Sequence, residues 1–262
     1  MNKILKSLFL LLIISFFSCQ SPNYYQIYKT KPISRETNTD GNNPLVYEDE
    51  NCKISYNFWN HGGNVSFEFQ NKTDKTIHLN LDNSFFIKNG IAYDYGKNLK
   101  NITQRSIPKT DEDIKINEED SKEGETEFSF LVQQDQTTVS IPSKTSKIFR
   151  EYMIQDEVYR NCELIRFPSK KEVQTVYFNS ENSPLIFSNR LAYQVDLEGE
   201  VIELENAFYV SEITNFPESE ITEFRQDEFC GQSYGLKKRF FKEVLPEKFF
   251  LKYNKGTEAS KH

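Results

Sequence analysis

The chain has 262 residues, of which 32 are Lys or Arg and 39 are Asp or Glu, giving a formal net charge of −7. No basic field of the kind that gathers phosphates is present, which argues against a general nucleic-acid binder. With 22 Phe and 14 Tyr beside only 10 Gly, the composition leans to β structure.

Residues 1–18 carry Lys3 and Lys6, then an apolar run from Leu8 to Phe17 broken only by Ser15. Spanning a bilayer takes roughly 20 apolar residues. The run is half that length and matches the h-region of a secretory signal peptide. At its end, FFSCQS places the small Ser18 directly before Cys19. This junction resembles the processing box of bacterial lipoprotein precursors. The resemblance implies cleavage after Ser18, a diacylglycerol on the Cys19 thiol and an acylated amino terminus. Two or more acyl chains hold a protein to a membrane stably, where one does not. Cleavage removes two lysines, so the mature 244 residues hold 30 basic and 39 acidic side chains, a charge of about −9.

Residues 19–44 then read as the lipidated cysteine and a polar, proline-bearing tether. Its cluster Tyr24, Tyr25 and Tyr28 leaves a second reading open, in which the segment packs back on the fold. From Leu45 the pattern turns to strands. Ile54, Tyr56 and Phe58 alternate with polar neighbours, as do Val65, Phe67 and Phe69. NHGGN (60–64) lies between these runs and predicts a tight hairpin turn. Asn71 to Lys75 predicts a second turn before Ile77, Leu79 and Leu81. Asn89-Gly90, between two apolar runs, is a strong signal for a type I′ hairpin.

Residues 109–127 hold nine acids and three lysines and predict a solvated acidic loop. Strand patterns resume after it and run to Phe216. Residues 45–215 therefore predict an antiparallel β-sandwich, immunoglobulin-like in type. Residues 216–262 have mixed helical spacing and predict a small C-terminal cap, with Pro246 as a breaker.

Motifs that could carry chemistry are few. GQSYG (231–235) has the G-x-S-x-G spacing of a nucleophile elbow around Ser233, with Leu236–Val244 as a following helix. The charged run RQDEFC before it does not suit a buried strand, and the only histidine after it is His262. His61 and His78 have no second histidine at zinc-ligand spacing. Asp111 and Asp113 fit two positions of a calcium loop, but Lys115 and Ile116 occupy a ligand place and the glycine place. After lipidation, Cys52, Cys162 and Cys230 remain, and both one disulfide and three reduced thiols stay open.

FFSCQS, the Asn-, Lys- and Ile-rich composition and phrases such as YEDENCKISYNFW and SPLIFSNRLAY make the chain similar to small lipoproteins of Bacteroidota-type bacteria. No activity follows from that resemblance. In such bacteria, acids soon after the cysteine accompany surface export. QSPNYY has none, which favours the periplasmic face, with the outer membrane as the anchoring membrane. The expectation is an exported lipoprotein anchored through Cys19 that acts as a non-catalytic binding or structural module. It would have no catalytic residue, metal or cofactor, and its partner would be a protein or glycan rather than nucleic acid. The rival expectation is a hydrolase of envelope or dietary polymers.

Overall fold

The computed structural model describes residues 22–33, 45–95, 137–150 and 152–256. The signal run, Cys19 and the acidic segment 109–127 lie outside these residues.

The described residues form antiparallel sheets, with helix confined to a single turn. In chain order the elements are β1 (Asn23–Pro32), β2 (Val46–Glu48), β3 (Cys52–Tyr56), β4 (Phe67–Asn71), β5 (Ile77–Lys88), β6 (Ile91–Asp94), β7 (Thr138–Ile141), β8 (Ser146–Phe149), β9 (Thr175–Tyr177), β10 (Ile186–Val195) and β11 (Val201–Pro217). They continue with the turn α1 (Glu218–Ile221), β12 (Thr222–Phe229), β13 (Gln232–Phe241) and β14 (Lys248–Asn254). The large sheet has the order β14-β1-β11-β10-β5-β6, with β7 also pairing β5 and β9 also pairing β11. A four-stranded sheet, β2-β3-β4-β8, faces it, while β12 and β13 pair only with each other.

The two larger sheets share a core built from aromatic rings. Tyr56 of β3 meets Phe208 of β11 edge-on at 5.1 Å, and Phe69 of β4 meets Tyr193 of β10 at 5.6 Å. Offset and edge-on pairs such as these suit the ring quadrupole. Full burial of one Phe or Leu side chain contributes about 1.5–3 kcal/mol, so the row Phe58, Phe67, Phe69, Phe187 and Phe249 carries much of the stability. The chain crosses between the sheets after β4. There the buried Asn71 side chain donates to the carbonyls of Lys75, Ile141 and Pro142 at 2.8–3.1 Å.

Three expectations are corrected. The tether reading fails for residues 23–32, because β1 lies inside the large sheet between β11 and β14. Its buried face is Tyr24, Gln26, Tyr28 and Thr30. Two of those four are polar, which hides the period of two from a hydropathy reading. Gln26 is satisfied by the Asn215 side chain at 2.9 Å and the backbone of Tyr159, and Thr30 by the Glu247 carbonyl at 2.8 Å.

The helical cap is also wrong. Apart from α1, residues 217–254 are strands and connections, and β14 pairs with β1 in register from Asn23↔Asn254 to Lys29↔Lys248. The buried alternation of Phe249, Leu251 and Tyr253 is a clear strand signature, and it places this tail in the core.

Finally, NHGGN is not a tight hairpin turn. β3 and β4 do pair, but residues 57–66 swing out to the other sheet, where Gly62 N–H donates to the Phe250 carbonyl at 2.7 Å. Both glycines have positive φ, +74° and +67°. A Cβ on Gly62 would lie 2.5 Å from Met153 Sδ, so glycine is required there for space as well as for conformation.

Asn89-Gly90 behaves as expected. Both residues have positive φ, +48° and +81°, and they join β5 to β6 with Lys88 paired to Ile91.

A candidate ligand cleft and the motifs around it

At the far end of β1 the sheets leave a cleft of about 570 Å³. Its walls come from Ile33 after β1, Leu45 and Tyr47 around β2, Tyr56 of β3, and the neighbouring strands β10 and β11. Small-molecule sites usually occupy roughly 300–1,000 Å³, with apolar walls and a few placed polar groups. This cleft has that character: Ile186, Phe187, Ala207 and Phe208 supply apolar surface beside Ser188, Glu205 and Asn206.

The polar groups are held in fixed arrangements. Tyr56 donates to Asn206 Oδ1 at 2.7 Å and accepts from Asn189 Nδ2 at 3.1 Å, and Tyr95 donates to Asn189 Oδ1 at 2.7 Å. Burial pushes the Tyr56 hydroxyl pKa far up, so it is a hydrogen-bonding group and not a proton source near neutral pH. At the rim, Glu205 accepts from Ser188 Oγ at 2.6 Å and from Arg190 Nη2 at 2.9 Å. Burial is the largest influence on that carboxyl and pulls its pKa up, but the bonds from Ser188 and Arg190 and the Arg190 charge together hold it below the usual range. A general acid needs the opposite shift. The carboxylate of the cleft is therefore charged and paired with Arg190.

The sequence motifs fall elsewhere. GQSYG is the end of the β12–β13 hairpin, where Gly231 and Gly235 have φ of +75° and +65°. Ser233 is exposed, sits opposite Glu228 in the ladder and lines neither the cleft nor the second recess described below. Leu236–Phe241, expected to begin the helix after an elbow, belongs to strand β13. Among the described residues no hydrogen bond joins Ser233 to a histidine. His61 bridges to Phe250, and His78 Nδ1 lies 3.2 Å from Ser140 Oγ.

A second recess, about 650 Å³, gathers His61, Asn64, Asp156 and Tyr152. Among the described residues, no three His, Cys, Asp or Glu side chains cluster to hold a metal ion. Cys52, Cys162 and Cys230 are all free thiols, which decides the question that the sequence left open. Asp111 and Asp113, like Cys19, lie outside the described residues.

Sequence reasoning missed the cleft. Its walls come from six separated segments, and its fixed polar pair, Tyr56 and Asn206, looks like ordinary members of alternating strands. Compared with protein-family models, curated proteins and solved structures, the chain matches none of them.

Proposed function

We propose that this chain is an exported lipoprotein, anchored at a cell-envelope membrane through acylated Cys19, that binds a ligand and performs no chemistry on it. The observation that carries the binding reading is the cleft, with its apolar walls, fixed Tyr56–Asn206 pair and Glu205 paired with Arg190. β1 enters the sheet at Asn23 and ends beside the cleft at Pro32. Ten strand residues span about 30 Å, so an anchor at Cys19 leaves the cleft at the end of β1 distant from the anchor. The outer membrane, with the fold on its periplasmic face, is the placement this reading adopts. An immunoglobulin-like grouping of the sheets belongs to the same reading and is supported by two facing antiparallel layers.

Two measurements test it. Mass spectrometry of the mature chain should find Cys19 as the first residue and acylated; an unmodified Cys19 overturns the anchor. The apolar dye N-phenylnaphthylamine should brighten on binding the protein, and Ala207→Trp, which fills the cleft, should abolish that signal with the fold retained by circular dichroism. Equal dye binding by both proteins overturns the assignment of the cleft.

A further inference from the structure

Among the described residues, the β12–β13 hairpin has no neighbouring strand. Every residue whose exposure is described from Glu223 to Phe240 is exposed. Four of these are large and apolar: Phe224 is 60 % exposed, Phe229 70 %, Leu236 88 % and Phe240 36 %. So many exposed apolar side chains on one projecting element mark a contact surface.

The hairpin's direction follows from its base. Phe241 packs on Tyr25 and Phe250 with ring centroids 5.4 and 4.7 Å apart. Two residues nearer the tip, Arg239 pairs with Glu218, which accepts from Asn23 Nδ2 at 3.2 Å. Moving outward along β13 therefore leads towards the first residue of β1. The hairpin projects from the end of the sheet at which the amino-terminal residues join. Asn23 lies four residues after Cys19, a reach of about 14 Å when extended. From Phe224, the ladder partner of Arg239, six residues lead to Cys230 at the tip, about 20 Å of strand. The tip reaches at least as far as the anchor does.

Its sequence is ordered for such a location. Phe229–Leu236 carries no charge, and Lys237, Lys238 and Arg239 follow at once. In the ladder Asp227 pairs with Tyr234 and Glu228 with Ser233, so both acids lie nearer the tip than Lys237, Lys238 and Arg239, and the basic excess of the hairpin as a whole is small. From Thr222 to Lys242 there are five basic and three acidic residues, in a chain whose net charge is −7. Apolar side chains next to lysines and arginines suit the boundary between acyl chains and anionic headgroups.

We infer that the β12–β13 hairpin is a second membrane contact, with the Phe229 tip at the acyl boundary and Leu236, Lys237, Lys238 and Arg239 at the level of anionic phospholipid headgroups. This rests on the lipoprotein reading for the location of the membrane. Lipid anchor and hairpin together fix the orientation of the fold, which one flexible point of attachment does not.

Cys230, exposed and free at the tip, is a built-in reporter. The mature protein made from the full chain with Cys162→Ser is labelled at Cys230 with a bimane probe, mapped by peptide mass. It is then reconstituted in phosphatidylcholine vesicles with and without phosphatidylglycerol. Nitroxide-labelled lipid should quench the probe, more so with phosphatidylglycerol, and aqueous iodide should not. The same probe at Ile148→Cys, in a background with Cys162→Ser and Cys230→Ser, should show the reverse. Phe229→Ser with Leu236→Ser should lower the ratio of lipid-contacting to solvent-exposed tip about tenfold. A tip quenched by iodide and untouched by nitroxide lipid overturns the inference. So does a probe shielded before any vesicle is added, which would indicate contact with a second copy. Mass measurement at Cys19 on the same sample separates the two readings. Acylation with a solvent-exposed tip leaves the lipoprotein and removes the hairpin contact, whereas unmodified Cys19 with a lipid-quenched tip does the opposite.

Discussion

Tyr56 and Asn206 join the facing sheets through a buried hydrogen bond of 2.7 Å, from the Tyr56 hydroxyl to Asn206 Oδ1. The same hydroxyl accepts from Asn189, the register partner of Asn206 on the adjacent strand. Tyr95 closes the set by donating to Asn189. Four polar side chains thus satisfy one another inside an aromatic core, and two of them, Tyr56 and Asn206, line the cleft.

Tyr56→Phe should therefore destabilise the fold by about 1–3 kcal/mol, because it strands a buried acceptor on Asn206 and a donor on Asn189. Tyr177→Phe removes a hydroxyl from a residue that is 72 % exposed and should lie within about 0.5 kcal/mol of the parent. Urea unfolding of the two variants checks the contrast. Equal stabilities would mean that water replaces the Tyr56 hydroxyl.

The glycines offer a test of backbone strain against space. Gly90→Ala places a Cβ at φ +81° with nothing within 4 Å, so only the conformational cost applies, about 1 kcal/mol. Gly62→Ala meets that cost and also a Cβ 2.6 Å from the Gln155 carbonyl oxygen. It should be clearly the more damaging of the two in thermal unfolding. Comparable losses would show that the 57–66 segment can shift away.

Why some of this was legible and some was not follows from particular residues. Ile54, Phe67 and Leu79 alternate with polar neighbours because each of their strands has one face in the core, and the period of two announces them. Asn89-Gly90 was readable because the turn depends on local φ alone. β1 was hidden because Gln26 and Thr30 are buried polar residues that depend on partners more than 130 positions away, Tyr159, Asn215 and Glu247. β12 and β13 bury almost nothing, so no hydrophobic period exists to separate strand from helix. The cleft depends on which distant strands become neighbours, and no local pattern encodes that.

Glu218 should make the hairpin base sensitive to acid. Burial is the largest influence and raises its pKa, but hydrogen bonds from Arg239 and Asn23, with the charges of Arg239 and Lys252, leave the carboxyl below its ordinary value. A folded-state pKa below the unfolded one contributes stability that is present above the unfolded value and is lost as pH falls through the folded one. Trp59, the only tryptophan, lies 5.0 Å from Phe241 and reports on this base. Its emission should shift red as pH falls below the ordinary glutamate range, and Glu218→Gln should remove that transition. An unchanged acid transition in the variant would assign it to another carboxylate.

At the alkaline side the neighbouring Tyr25 gives the mirror case. Burial, then the Glu218 charge and hydrogen bond, push its hydroxyl up to about 12 from 10. Stability from this group is fully present below the unfolded value and is lost as pH rises through the folded one. Tyr25→Phe should therefore flatten the loss of stability between about pH 10 and 12. Unfolding midpoints measured across that range decide it.

Thiol counting joins the fold to the anchor. Cys162 and Cys230 are exposed, whereas Cys52 is fully buried against Tyr193, with Sγ 3.9 Å from its hydroxyl. Burial, and next the Asp49 carboxylate, raise the Cys52 pKa and suppress the thiolate that reacts. A disulfide-exchange reagent should therefore titrate two thiols in the native mature protein, and three once it is denatured, because Cys19, acylated in the proposed lipoprotein, offers none. A fourth thiol on denaturation would mean that Cys19 is unmodified and would remove the lipoprotein reading. A third thiol in the native state would place Cys52 within reach of solvent, against its packing between β2 and the large sheet.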